Sequence, residues 1–189
     1  MHIALYFGSF NPIHVGHLII ANHVLNHTDA KRVWWVVSPQ NPLKPAGSLL
    51  NEHHRYYMVN LAVEDDPRMQ ATNIEFSLPR PSYTIDTLTY LSDKYPQHQF
   101  SVVMGSDSLT NIKQWKNYER LLADYDLLVY RRPGFEPDTT LSERITVLNA
   151  PLLDISSTQI RKLIQARQSV RYLLTEPVRQ YIETNNYYR

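Results

Sequence analysis

Two histidines three residues apart, His14 and His17, lie in the stretch GSFNPIHVGH that covers residues 8 to 17. An apolar run from Ile3 to Phe7 precedes it and an amphipathic run from Leu18 to Leu25 follows, which reads as strand, tight loop and helix. Gly8 lets a ligand approach the backbone, and Pro12 fixes the chain while removing one donor, so the loop offers a nest of N–H groups at a helix start. With that helix beginning near Ile13, both imidazoles fall on one face of its first turn. Imidazoles at the positive end of a helix dipole are poorly placed until an anion arrives, and the stretch is therefore suited to phosphate. Zinc is the weaker reading of His-x-x-His, because the chain has no cysteine and no third ligand stands nearby.

A second stretch, ISSTQIR at residues 155 to 161, has the same character. Ser157 suits an N-cap, Ile160, Leu163 and Ile164 make an inward stripe, and Arg161 with Lys162 brings positive charge to the first turn, against the dipole. Hydroxyls of Ser156 and Ser157, free N–H groups and a guanidinium again describe a polyphosphate grip. The sequence lacks G-x-x-x-x-G-K-S/T, G-x-G-x-x-G and a nucleophile elbow, and no Ser-His-Asp set can be picked out, which leaves γ-phosphate kinases, dinucleotide dehydrogenases and serine hydrolases unsupported. What remains can neutralise a triphosphate and the charge that develops in nucleotidyl transfer. A phosphate monoester as nucleophile, with a second pKa of about 6, is already ionised near neutral pH. Positioning and electrostatics would then carry the rate without a general base.

The elements that must hold these groups alternate along the chain. Strands are expected at Ile3 to Phe7, Val33 to Val37, Met69 to Phe76, Phe100 to Met104, Asp126 to Tyr130 and Ile145 to Leu148, with helices between them except before the last, where Glu136 to Ser142 reads as a variable excursion. This order predicts an α/β fold with a doubly wound parallel sheet, followed by a small helical part and a frayed polar tail. Ligands of such sheets bind beyond the carboxyl ends of the strands, and four further stretches are expected there. Lys44, in the proline-rich loop 39 to 45, is either a phosphate contact or a solvated lysine. Ser82 or Thr84 caps a helix start that could receive a carboxylate. Gly105 follows a strand directly and leaves room for a base or sugar, with Asp107 as ribose acceptor or helix cap. Trp115 is a stacking platform or a lid over the core, and Arg131 with Arg132 a bidentate anion clamp or solvent-facing pair. His53, His54 and Arg55 read as the solvated side of a helix running from Asn51 to Val63.

At 189 residues, 43% of them hydrophobic and 20% charged, the chain fits one globular domain spanning 1–189. A net charge of +1 argues against bulk nucleic-acid binding, and no run is long or apolar enough to span a bilayer. Together with the lack of cysteine this predicts a soluble cytoplasmic protein without nucleic-acid or membrane partners. A homo-oligomer stays open.

GSFNPIHVGH together with ISSTQIR resembles the nucleotidyltransferase superfamily, whose marks are a (T/H)-x-G-H loop and a distal ISSTxIR helix start. With SPQNPLKP, SYTIDTL, GSDSL, Trp115 and YRRPG added, the chain resembles the bacterial nicotinate mononucleotide adenylyltransferases over nearly its whole length, from Gly8 to Arg161. The resemblance implies a Rossmann-like nucleotidyltransferase fold and a reaction of ATP with nicotinate mononucleotide, giving nicotinate adenine dinucleotide and pyrophosphate, with Mg²⁺ on the ATP phosphates. It implies His14, His17 and Arg161 as catalytic groups. Gly8, Ser9, Phe10, Gly105, Asp107, Ser156 and Ser157 would join them around ATP, and Lys44, Thr84, Trp115 and Arg132 would meet the mononucleotide. The loop at Lys44 reads Asn-Pro-Leu-Lys, where many relatives carry a histidine beside the basic residue. Relatives acting on phosphopantetheine, cytidylyltransferases, and a nucleotide-binding module without turnover are the alternatives.

Overall fold

The computed structural model describes residues 1–40 and 49–189, so Lys44 lies outside the described residues. Among these, six parallel strands form one sheet: β1 (His2–Gly8), β2 (Arg32–Val37), β3 (Met69–Thr72), β4 (Gln99–Gly105), β5 (Asp126–Tyr130) and β6 (Ile145–Leu148). Their order across the sheet is β3-β2-β1-β4-β5-β6. The chain thus winds outward from β1 in one direction and from β4 in the other, and the crevice between them opens beyond their carboxyl ends. Register brings those ends together: Gly8 lies beside Val37 on β2, and Tyr6 beside Val103 on β4. This is a Rossmann-like α/β fold, as the alternating pattern predicts.

Both faces are covered, which is why β1 is apolar from Ile3 to Phe7 instead of alternating with polar residues. Ala4 and Tyr6 point into one core with Trp35 of β2. Onto that core pack α1 (Val15–His27), α2 (Glu52–Val63), α6 (Ser157–Gln165) and α7 (Glu176–Thr184), through Ile20, Val24, Met58, Val59, Ile160, Val178 and Ile182. Ile3 and Leu5 point the other way, onto α3 (Thr84–Lys94), α4 (Ser106–Thr110) and α5 (Tyr118–Asp124), through Leu88, Leu91, Leu109 and Leu121. No helix among the described residues is long and apolar enough to cross a membrane.

Several local expectations change. The strand expected from Met69 to Phe76 stops at Thr72, and Ile74–Ser77 form a 3-10 turn that carries the side chain of Glu75 into the interior. The α3 N-cap is Tyr83, without a capping side chain, because the Ser82 hydroxyl is committed to Glu75 at 2.7 Å. Ser156, and not Ser157, caps α6: its Oγ accepts from the Gln159 N–H at 3.2 Å. The excursion expected from Glu136 to Ser142 between β5 and β6 contains a 3-10 turn at Thr139–Leu141. Finally, the tail after α7 is not frayed, since Tyr187 and Tyr188 pack against the core.

Candidate active site

The α1 start is built differently from a helix whose first turn holds both histidines. His14 is the N-cap with extended backbone, and His17 is the third residue of the helix. The His14 N–H donates to His17 Nδ1 at 3.2 Å, and the two rings stack with centroids 3.7 Å apart. Because Nδ1 accepts, the neutral His17 ring carries its proton on Nε2. Gly16 makes the stacking feasible: a Cβ there would lie 3.1 Å from His14 Nδ1. His14 is only 4% exposed, and burial, followed by the nearby Arg132 charge, pushes its pKa down to about 4. At neutral pH His14 is therefore uncharged.

Upstream, Phe10 has a left-handed backbone with φ of +45°, uncommon for a non-glycine residue. That conformation folds its ring back over Gly8, where a Cβ would come within 2.7 Å of the ring. The buried phenyl then stands edge-on to Tyr6, Trp35 and His17. The carbonyls of the loop are held by distant donors. Ser157 Oγ donates to the Pro12 carbonyl at 2.8 Å and Arg161 Nη1 to the Asn11 carbonyl at 2.7 Å, across 145 and 150 residues of sequence. The two motifs are therefore one structure, with the helix starts of α1 and α6 facing a common space.

Arg55 completes the support, against the expectation that it faces solvent. It is fully buried and donates to four carbonyls: Leu50 at 2.7 Å, Ser9 at 2.6 Å, Ser38 at 2.8 Å and Pro39 at 2.9 Å. A charged residue with no carboxylate among these partners looks misplaced on a helix face. What makes it stable is a set of loop carbonyls brought together from two strand ends. His53 is exposed as expected, whereas His54 accepts or donates at Nδ1 with Tyr181 and Tyr187 at 2.9 and 3.1 Å.

On the far side of β1, Gly105 ends β4. A Cβ there would meet the Asp107 carboxylate and sit 3.1 Å from Arg132 Cγ, so a larger residue would have to displace the Asp107 side chain. Asp107 does not cap α4, whose N-cap is Gly105; it lies 3.8 Å from Arg132 Nε. Arg132 is anchored by its own N–H, which donates to Ser106 Oγ at 2.8 Å. Arg131 turns away to pair with Glu136, so the two arginines do not act as one clamp.

The remaining wall is the start of α3. Glu75, 1% exposed, accepts from Ser82 Oγ at 2.7 Å and from Thr87 Oγ1 at 2.9 Å, bracketing the helix start from both sides. Burial pushes its pKa up, against the pull of those hydroxyls. Since Tyr83 supplies no side-chain cap, the N–H groups of Thr84 and Ile85 have no partner among the described residues and are free to receive an anion. Half-buried Trp115 stands near them.

All of these groups line one cavity of about 720 Å³: Gly8, Ser9, Phe10, His14 and His17; Ser156, Ser157 and Arg161; Gly105, Asp107 and Arg132; Thr84 and Trp115. Every described residue expected at the site is thus in it. Glu75, Asn11 and Tyr83, which the sequence did not single out, line it as well. Among the described residues no group of three His, Asp or Glu side chains could hold a metal ion. Its chemistry is that of a polyanion grip at one end and, at the other, an aromatic plate beside free helix N–H groups.

Comparisons with known proteins cover the stretches that carry this cavity. The cytidylyltransferase-like family model matches residues 5–163. A Cytophaga hutchinsonii protein named probable nicotinate-nucleotide adenylyltransferase is 51% identical over 100% of this chain and 98% of its own length. Its namesake from Flavobacterium psychrophilum is 45% identical over the full length of both. In three dimensions the chain is similar to Plasmodium falciparum nicotinic acid mononucleotide adenylyltransferase complexed with NaAD, with a TM-score of 0.85 at 23% identity, over 99% of this chain and 97% of that one. Family model, full-length relatives and fold agree, and the chain belongs to the nicotinate-nucleotide adenylyltransferase family.

Proposed function

We propose that this enzyme transfers the adenylyl group of ATP to the phosphate of nicotinate mononucleotide, in NAD biosynthesis. A phosphate oxygen of the mononucleotide attacks the α-phosphorus of ATP. A new P–O bond forms as the bond to the bridging oxygen breaks, and pyrophosphate leaves with that electron pair. The attacking phosphate is ionised near neutral pH, so no residue needs to take a proton from it. The single observation that carries the reading is the pairing of the two helix starts, where Ser157 and Arg161 are hydrogen-bonded to the carbonyls of Pro12 and Asn11.

In this reading the triphosphate lies between α1 and α6. His17 donates from Nε2, His14 lies beside it, and Arg161 with the N–H groups of Ser156 and Ser157 supports the other side. These donors are in place before charge moves, so the transition state gains them without reorganisation. Gly8, Ser9 and Phe10 border the nucleotide through backbone, and Gly105 with Asp107 borders the adenosine. The mononucleotide stacks its ring on Trp115 and places its carboxylate at the free N–H groups of Thr84 and Ile85. Those groups can only donate, so an amide that turns its own N–H₂ towards them gains nothing. Arg132, and Lys44 by the family resemblance, receive its phosphate.

Mg²⁺ enters with ATP in this scheme. With no three-residue His, Asp or Glu group among the described residues, phosphate oxygens and water are its natural ligands. When bound it neutralises phosphate charge. The experiment that tests the reading supplies ATP and Mg²⁺ with nicotinate mononucleotide, its amide or phosphopantetheine in turn, and follows pyrophosphate. Release fastest with the acid is expected; release with phosphopantetheine and none with nicotinate mononucleotide would sink the assignment.

A further inference from the structure

Tyr188, in the segment that follows α7, reaches a residue 177 positions earlier: its hydroxyl donates to Asn11 Oδ1 at 2.8 Å. The same Oδ1 accepts from the Leu50 N–H at 3.2 Å, and the Asn11 main-chain carbonyl accepts from Arg161 at 2.7 Å. Asn11 is therefore a hub, 4% exposed, where both motifs and the segment after α7 meet. The phenol is close enough to Arg55 and Arg161 for both guanidiniums to pull its pKa down, while burial pushes it up more strongly. Tyr187 anchors the segment next to it, with its hydroxyl 3.1 Å from His54 Nδ1 and its ring 5.1 Å from that imidazole.

We propose that Tyr188 is a positioning residue for the polyphosphate grip, holding Asn11 so that the loop after β1 and Arg161 of α6 keep one geometry. It lines no part of the cavity and is not a catalytic residue. Its effect passes through Asn11 to the carbonyl that orients the Arg161 guanidinium. A loop with an unlatched Asn11 would leave His14 and Arg161 correctly typed but loosely placed, and small misplacements are costly where catalysis rests on preorganised donors. Among the described residues, Thr84, Ile85 and Trp115 at the acceptor end make no hydrogen bond to Tyr188, and the binding of the pyridine ring and its carboxylate should not respond.

The inference rests on residues 8 to 17 and 156 to 161 being the ATP grip, and the test separates the two. Tyr188→Phe removes one oxygen and keeps the ring. ATP affinity by calorimetry, without any acceptor, is expected to weaken about tenfold, the order of one lost hydrogen bond with its alignment. The KM for nicotinate mononucleotide should stay within about twofold and the melting temperature within a few degrees. In an Arg161→Ala background, Tyr188→Phe should cost ATP affinity almost nothing further, since coupled residues are not additive. Unchanged ATP affinity, equal losses for both substrates, or full additivity with Arg161→Ala would each overturn the positioning role. Failure of the wild-type protein to release pyrophosphate with nicotinate mononucleotide would instead overturn the acceptor assignment, and the calorimetric comparison would still decide the role of Tyr188.

Discussion

The two ends of the cavity are built on opposite plans. At the phosphate end the main-chain carbonyls of Ser9, Asn11 and Pro12 are each taken by a side-chain donor from elsewhere in the chain, Arg55, Arg161 and Ser157 respectively. At the acceptor end the α3 start has no side-chain cap, and Glu75 steadies it from behind while Lys116 pairs with Asp86 at its surface. One end spends its donors on its own frame, so that the groups facing the cavity stand ready when charge develops. The other leaves donors open for the substrate to fill. In the proposed reaction, rate would depend on the first and choice of acceptor on the second, since catalysis is tighter binding of the transition state than of the ground state.

The contrast is broken most forcefully at His17. His17→Ala is expected to lower kcat on the order of 10² to 10³, the cost of deleting one preorganised donor. Its KM for nicotinate mononucleotide and its circular dichroism should be close to wild type. Turnover at the wild-type rate would remove His17 from the mechanism. Next comes Arg55→Met, which keeps the volume and leaves four carbonyls, one buried and three partly buried, without their donor. A loss of about 3 kcal/mol in urea unfolding is expected, since each orphaned buried group costs about 1 to 3 kcal/mol before relaxation. A variant as stable as wild type would show that the guanidinium does not hold the loops.

These two residues also mark the limit of what the sequence discloses. His14, His17 and Arg161 are legible because imidazoles and a guanidinium at helix starts conflict with the dipole unless an anion is bound. Strands β1, β2, β4 and β5 are legible because doubly covered strands are apolar runs. Arg55 is not, because its partners are carbonyls in loops distant in sequence, and a charge between His54 and Tyr56 on a helix reads as solvated. Glu75 sits in a stretch whose β pattern hides a 3-10 turn, and its burial depends on hydroxyls at residues 82 and 87. The docked tail is not legible either, because it reads as polar and Tyr187 and Tyr188 find their partners, His54 and Asn11, more than a hundred residues earlier.

Trp115→Ala probes the open end with a smaller expected effect. Losing one stacked ring costs about 1 to 3 kcal/mol. The KM for nicotinate mononucleotide should therefore rise roughly 5- to 100-fold while ATP affinity stays near wild type. Equal losses for both substrates would mean that Trp115 is a lid over the core and not a platform.

The smallest effect expected concerns protons at the closed end. Burial lowers the His14 pKa from 6.5 to about 4, so the folded protein binds this proton less readily than the unfolded chain does. The contribution to stability is present in full above pH 6.5 and is lost as pH falls towards 4. His14→Asn should flatten that part of the stability curve. Triphosphate beside the ring works against the desolvation that keeps it neutral, and raises the pKa again. ATP binding near pH 5.5 is then coupled to proton uptake at His14, read in calorimetry as a binding enthalpy that varies with the ionisation heat of the buffer. ATP also titrates on its own phosphate, but equally for both proteins, so the difference between wild type and His14→Asn isolates the imidazole. Identical buffer dependence in the two would show that the polyphosphate does not reach His14, and would leave His17 and Arg161 as the charged side of the grip.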